Sequence, residues 1–246
     1  MKIFIHIGDA RTGTTSLQSL FTANRAKLLE LGVDYPEICL LVPKKGLAQH
    51  KLSFSLLPEW PKFAKSAETP REEAWGEFVR YISASEGVSD SIMISSEAFS
   101  SLVGDGIAHI RDYLTGHDVK PIFVRRDPES WRRSMREQNI KKGQYVPEGK
   151  GKPAEDFGEH KLQAWQKFYD VKCIDYGPNC LDQICAYIGI DIGNLEPVEK
   201  RNSQLPYSAT NLLNRLNKIE MTEKNRIKFN DEVVRWITNF VSERDK

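Results

Sequence analysis

The sequence predicts an α/β fold of three layers, built around a central parallel sheet of about four or five strands. Two kinds of apolar pattern, which alternate along the chain, predict this fold. Short apolar runs rich in β-branched residues are typical of buried parallel strands, and apolar residues that recur every three or four positions are typical of helices that pack on a sheet. The 246 residues suit one domain over 1–246. From about residue 200 onward, the helical pattern predicts a C-terminal helical extension that caps this domain.

Each element follows from one of these two patterns. Strands are predicted at residues 2–7, 91–95, 119–124 and 171–176, with a short extended piece at 33–36. One helix is predicted over 16–31, ended by Gly32, and another begins at Thr69 and is ended by Gly87. Further helices are predicted near 107–114, from Asp127-Pro128 onward, near 162–169, over 180–188, and from Ser208 onward. The irregular segments 38–68 and 141–158 are expected to be loops near a binding site.

The composition argues against several kinds of partner. The formal net charge is +1 at pH 7 and no polybasic tract occurs, so no nucleic-acid partner is expected. No apolar run approaches the length of a membrane span and no signal peptide is recognisable, so we expect a cytoplasmic protein without a membrane partner. Cysteine spacing does not suit a metal, and reduced thiols are expected at Cys39, Cys173, Cys180 and Cys185.

The loop Gly8-Asp9-Ala10-Arg11-Thr12-Gly13-Thr14-Thr15 joins the first strand to the first helix. A strand, a glycine-bounded loop and a helix form the layout of a phosphate site, where backbone N–H groups and the helix dipole attract an anion. The two glycines have the spacing of the ATP-type loop G-x-x-x-x-G-K-[ST]. Thr14, however, stands where that loop has lysine, and the basic residue is Arg11. This difference argues against ordinary ATP or GTP phosphoryl transfer.

A second phosphate motif lies where the strand at 119–124 runs into Arg125-Arg126-Asp127-Pro128. Asp127 is predicted to cap the following helix, with Pro128 in its first turn. Arg126 offers a planar guanidinium fork that suits phosphate, and Ser134 on the same predicted helix adds a hydroxyl.

Together, the two motifs resemble those of sulfotransferases that use PAPS (3′-phosphoadenosine 5′-phosphosulfate), in particular the small bacterial-type enzymes. Residues 10–18, Ala-Arg-Thr-Gly-Thr-Thr-Ser-Leu-Gln, are similar to the family loop Lys-[Ser/Thr]-Gly-Thr-Thr, with Arg11 at the lysine. Arg126-Asp127-Pro128 with Ser134 is similar to the family Arg-Asn-Pro motif and its serine. The resemblance implies a P-loop NTPase-like fold and transfer of a sulfuryl group from PAPS to a hydroxyl or amine. It also implies PAP as the product, no metal, and a small-molecule or carbohydrate acceptor.

The resemblance also assigns roles to individual residues. It implies that one group binds the 5′-phosphosulfate: Arg11, Thr12, Gly13, Thr14 and Thr15. A second group would hold the 3′-phosphate: Arg126, Ser134 and Arg201. Arg11 would also offset charge on the bridging oxygen, although an arginine cannot donate its proton as a lysine can. Plain surface charge is the alternative for Arg201.

Two residues are candidates for the catalytic base. Glu97 follows the strand at 91–95, and ligands in such sheets bind beyond the carboxyl ends of the strands, so it is expected to face the same crevice as Arg11. His50, in the first irregular segment, is the other candidate. The alternatives are a helix cap or a partner of Arg126 for Glu97, and a surface position for His50. His6, inside the first strand, is expected to be a hydrogen-bonded core residue.

Two further functions remain open from the sequence. The first is a P-loop nucleotide kinase or NTPase, which the missing lysine after Gly13 disfavours. The second is a non-catalytic homologue that binds PAP or PAPS, which Arg11 in place of lysine keeps open.

Overall fold

The computed structural model describes residues 1–9, 11–42, 46–147, 158–198, 206–219 and 222–244. The chain divides into two compact units. The first comprises Met1–Arg126 and Asp156–Glu199, and the second comprises Asp127–Glu155 and Lys200–Lys246. One domain over 1–246 stays a prediction.

The first unit contains a parallel sheet of five strands among the described residues. The strands are β1 (Lys2–His6), β2 (Val33–Asp34), β3 (Ser91–Ser95), β4 (Asp118–Arg125) and β5 (Lys172–Asp175). Their order is β2-β3-β1-β4-β5, and every neighbouring pair is parallel. All five carboxyl ends therefore lie at one edge, and the loop after β1 emerges between the ends of β3 and β4. The predicted α/β fold with four or five parallel strands is confirmed.

Helices alternate with these strands and continue beyond the last one. They are α1 (Thr14–Ala23), α2 (Arg25–Glu30), α3 (His50–Phe54), α4 (Arg71–Ser85), α5 (Asp105–Tyr113), α6 (Pro128–Lys141), α7 (Glu159–Gln166), α8 (Cys180–Tyr187), α9 (Tyr207–Leu216) and α10 (Glu223–Arg244). Short 3₁₀ helices cover Lys62–Ala67, Glu97–Ser101 and Ile192–Asn194. Within the described ranges, none of the helices combines the length and the apolar character needed to cross a membrane.

Alternate residues of β1 pack against opposite faces of the sheet, which explains the three layers. Ile3 and Ile5 belong to a buried cluster that also contains Trp75 of α4 and Trp165 of α7. Phe4, between them in sequence, belongs to a second cluster with residues of α1, α2 and α8. Since successive side chains of a strand point to opposite faces, a strand that is apolar throughout requires a helical layer on each side.

The prediction of one helix over 16–31 is wrong, because α1 ends before Asn24 and α2 begins after it. The Asn24 side chain is buried and bonds to a distant segment. Its Nδ2 donates to the Leu20 carbonyl (2.8 Å) and to the Glu196 carbonyl (3.0 Å), and its Oδ1 accepts from the Glu196 N–H (2.7 Å). The apolar periodicity identifies the buried face correctly, but it carries no signal for this polar contact.

The second unit contains α6, α9 and α10. The helices α9 and α10 confirm the predicted helical character of the C-terminal extension, whereas its role as a cap on the domain stays a prediction. The Asp127 carboxylate caps α6 as predicted, by accepting a hydrogen bond from the Ser130 N–H (2.8 Å). Near the other end of α6, the Ile140 carbonyl accepts from the buried amides of Asn217 and Asn230, each at 2.8 Å. These buried amides add to the hydrogen bond that the Gly143 N–H donates to the same carbonyl at 2.9 Å.

Candidate functional site

The loop after β1 turns sharply into α1. Arg11 and Gly13 both have left-handed backbone conformations, with φ of 68° and 81°, and Gly13 is the N-cap of α1. The N–H groups of Ser16 and Leu17 both bond to the Gly13 carbonyl. The N–H groups of Thr14 and Thr15 belong to the first turn of α1, at the positive end of the helix dipole. This end of α1 is therefore suited to donate hydrogen bonds to an anion.

The glycine at the start of the loop is required by packing. A Cβ on Gly8 would overlap the Thr14 hydroxyl and would lie 2.5 Å from Cε1 of His6. The chain can turn here only because residue 8 has no side chain. The predicted glycine-bounded loop therefore has a structural reason at this position.

Two of the predicted phosphate-binding hydroxyls are directed at the loop itself. Thr12 Oγ1 donates to the Asp9 carbonyl at 2.6 Å, and Thr14 Oγ1 lies 3.4 Å from the same oxygen. Both threonines are buried, whereas Thr15 is exposed. Thr12 and Thr14 thus hold the shape of the loop, and their direct contact with a phosphosulfate stays a prediction. Thr15 and the backbone N–H groups are the more accessible donors.

Asp9 forms an ion pair that the sequence analysis missed. Its Oδ2 lies 2.8 Å from Nζ of Lys161 on α7, and both side chains are largely buried. Lys161 therefore brings a positive charge to the loop after β1, where it pairs with the Asp9 carboxylate. No local sequence pattern links these two residues, which are 152 positions apart.

The structure brings both base candidates together at the carboxyl end of β3. Glu97 begins the 3₁₀ helix Glu97–Ser101, and its Oε2 lies 3.9 Å from Nε2 of His50 on α3. Nε2 of Gln18, on α1, lies 3.5 Å from the same carboxylate oxygen. Ser96 provides the side-chain cap of the 3₁₀ helix, so the alternative of Glu97 as the cap is wrong.

His50 is in an environment that favours its neutral form. Burial lowers the pKa of its imidazole below the ordinary 6.5, and the Glu97 carboxylate partly opposes that shift. The ring stacks on Phe54, with centroids 5.2 Å apart and planes 6° apart. Nδ1 lies 2.8 Å from Oγ of Ser96. A neutral, oriented imidazole near pH 7 is suited to accept a proton.

A second histidine, His6 at the end of β1, is buried and has a structural role. His6 is 1 % exposed, and its Nδ1 lies 2.8 Å from Oγ of Ser95. Gln18 donates to the same hydroxyl at 3.1 Å. Burial lowers the pKa of His6 to about 3, so the ring is neutral near pH 7. The prediction of a hydrogen-bonded core histidine is confirmed.

Arg126 lies at the carboxyl end of β4 and contacts the loop. It donates a hydrogen bond to the Arg11 carbonyl, and its guanidinium carbon lies 4.3 Å from the centroid of the Tyr176 ring. The same Tyr176 ring covers Gly13, where an added Cβ would lie 3.1 Å from Cε2. Tyr176 directly follows β5, and this position at the carboxyl edge of the sheet is the signal in the sequence that points to it.

Two predicted phosphate ligands are not part of this arrangement. Ser134 is buried on α6 of the second unit, and its contact with a phosphate stays a prediction. Arg201 lies outside the described residues.

Comparisons with known proteins do not assign a family. No protein-family model matches the chain, and no curated protein matches it. Within the described ranges, no group of three or more His, Cys, Asp or Glu side chains could hold a metal ion. The fold and the geometry at the sheet edge are therefore the observations that bear on function.

Proposed function

We propose that the chain is a sulfotransferase that transfers a sulfuryl group from PAPS to a hydroxyl or amine of a small-molecule or carbohydrate acceptor. The observation that carries the proposal is the grouping at one sheet edge. An anion-binding loop follows β1, the His50–Glu97 pair follows β3, and Arg126 follows β4. Anion binding, proton removal and charge stabilisation are the three requirements of such a transfer.

The loop has groups that fit a phosphosulfate. The N–H groups of Gly13, Thr14 and Thr15 lie at the start of α1, where the helix dipole favours an anion. Lys161 offsets the charge of the Asp9 carboxylate, which would otherwise repel an anion. Arg11 offers a permanent positive charge in the same loop. These groups account for electrostatic stabilisation without a metal ion.

The chemistry requires one proton acceptor. The acceptor oxygen or nitrogen forms a bond to sulfur while the bond from sulfur to the bridging oxygen breaks, and the electron pair of that bond leaves with PAP. The proton of the acceptor group passes to a base of the His50–Glu97 pair. Arg11 and the loop N–H groups would stabilise the charge that develops on the leaving phosphate.

The kinase or NTPase alternative has less support from the loop. Thr14 occupies the position of the phosphate-binding lysine, and its hydroxyl is directed at the Asp9 carbonyl. Lys161 reaches the loop from α7, but its described ion pair is with Asp9. The non-catalytic alternative is weakened by the neutral, oriented His50 beside Glu97, because binding alone requires no base.

The test is formation of PAP from PAPS with a panel of phenols, sugars and amines, in buffer that contains EDTA. We expect PAP to form with at least one acceptor, and the rate to fall by about 10²–10⁴-fold in His50→Ala. The control is His109→Ala, because His109 lies on α5 and contacts Arg71. Magnesium-dependent ATP hydrolysis without any PAP formation would contradict the proposal in favour of an NTPase.

A further inference from the structure

Two buried hydroxyl groups, those of Ser53 and Ser96, lie in a chain of contacts that leads to Nδ1 of His50. We propose that Ser53 and Ser96 hold neutral His50 as the Nδ1–H tautomer, so that Nε2 is the catalytic base and Glu97 is its charge partner. The part about catalysis rests on the proposed sulfotransferase function. The tautomer rests on the hydrogen bonds alone.

The argument begins with Ser53, whose hydroxyl has one proton. Its Oγ lies 3.0 Å from the His50 carbonyl oxygen, and because a carbonyl can only accept, Ser53 donates there. Ser53 Oγ also lies 2.7 Å from Oγ of Ser96. We assign the Ser53 proton to the His50 carbonyl, and with this assignment Ser96 is the donor in the second bond.

Ser96 has then used its own proton, so it can only accept from other groups. Its Oγ lies 2.8 Å from Nδ1 of His50, and two atoms at this distance need a proton between them. With the Ser96 proton assigned to Ser53, that proton belongs to Nδ1. The backbone N–H of Ala98 donates to the same Oγ at 3.2 Å. Ser96 thus accepts two hydrogen bonds and donates one, which is the full capacity of a hydroxyl.

Burial and stacking keep this arrangement in place. Ser53 and Ser96 are both 0 % exposed, so solvent does not compete for these bonds. The parallel contact with Phe54 fixes the plane of the imidazole ring. The contacts that favour one tautomer are therefore shielded from solvent.

The tautomer places the lone pair on Nε2, the nitrogen that faces Glu97. The distance of 3.9 Å from Nε2 to the Glu97 Oε2 is too long for a hydrogen bond, as expected when a lone pair faces a carboxylate. In the transfer step, the acceptor proton moves to Nε2, the new bond to sulfur forms, and the bond to the leaving phosphate breaks. Glu97 then stabilises the resulting imidazolium. Ser53 and Ser96 act as positioning residues, and His50 is the catalytic residue.

The experiment is ¹⁵N–¹H NMR of the full chain with ¹⁵N-labelled histidine, at a pH where His50 is neutral. The His50 signals are assigned by their loss in His50→Gln. We expect a pyrrole-type shift for Nδ1 and a pyridine-type shift for Nε2. The reverse assignment in the wild-type chain would overturn the proposal.

Ser53→Ala provides the sharper test, because it does not touch the imidazole ring. It removes the acceptor for the Ser96 proton, so Ser96 can donate to Nδ1 and the Nε2–H form becomes populated. The matched control is Ser55→Ala, since the Ser55 hydroxyl bonds to the Leu52 carbonyl (3.0 Å). An unchanged tautomer in Ser53→Ala would refute the proposed tautomer control.

Measurements of PAP formation distinguish a failure of this inference from a failure of the proposed function. Where the wild-type chain forms PAP, Ser53→Ala should lower kcat to a value between wild type and His50→Ala, with little change in KM for PAPS. An unchanged kcat in a variant whose tautomer has changed would refute His50 Nε2 as the base. Absence of PAP formation by the wild type refutes the sulfotransferase proposal, whereas the NMR result still decides the tautomer.

Discussion

Replacing Lys161 by methionine removes the cation that pairs with Asp9 at the candidate loop. The two charged atoms are 2.8 Å apart, and the Asp9 side chain is 11 % exposed. Breaking a buried ion pair costs about 3–5 kcal/mol, whereas an exposed pair contributes about 1 kcal/mol or less. Because the Lys161 side chain is 22 % exposed, we expect an intermediate effect. The free energy of unfolding should fall by about 2 kcal/mol.

The assay is urea unfolding at pH 7, followed by circular dichroism. The matched control is Lys167→Met, because Lys167 is exposed just beyond the end of α7. The double variant Asp9→Asn, Lys161→Met should recover part of the loss, since it no longer buries a carboxylate without this cation. A Lys161→Met chain within about 0.5 kcal/mol of the control would refute the importance of the pair.

Three further predictions concern the core around the site. Burial lowers the pKa of His6 from 6.5 to about 3, so the unfolded chain binds a proton that the fold excludes. As the pH is lowered below 6.5, the free energy of unfolding should therefore fall by up to about 1.4 kcal/mol per pH unit more than it does in His6→Asn. Urea unfolding at several pH values measures this, and an equal dependence of the free energy on pH in the two chains would contradict it. Gly8→Ala should cost about 2–3 kcal/mol in thermal unfolding because of its overlap with Thr14, and a wild-type Tm would count against that packing. Asn24→Ala should cost about 1–3 kcal/mol in urea unfolding, because the bonds to Glu196 are lost; a loss below about 0.5 kcal/mol would show that they contribute little.

The sequence was sufficient for features that depend on local pattern. The strand Ser91–Ser95 was predicted with its observed bounds, because its apolar residues 92–94 are bounded by polar residues. The cap by Asp127 was predicted because its determinants lie within one helical turn. The position of Glu97 just beyond the carboxyl end of β3 followed from the predicted strand, whereas its part in a site with Arg11 stays a prediction.

The contacts that shape the candidate site were beyond the sequence because they join distant segments. Asp9 and Lys161 are 152 residues apart, and no periodicity connects them. His50 and Glu97 were alternatives in the sequence, whereas the fold makes them neighbours. Tyr176 contacts both Arg126 and Gly13 only because β5 lies next to β4. Such contacts follow from tertiary packing, which overrides the local pattern.

The most direct test of the sulfotransferase proposal is a thermal-shift titration with PAP, compared with ATP and AMP, with and without Mg²⁺. A ligand at about 100-fold its dissociation constant adds about 2.7 kcal/mol of stability, which is easily detected. We predict that PAP stabilises the chain without metal, and that the PAP-induced shift is lost in Arg126→Ala, measured relative to that variant's own Tm. Stabilisation by ATP with Mg²⁺ and none by PAP would contradict the proposal and favour a nucleotide kinase or NTPase.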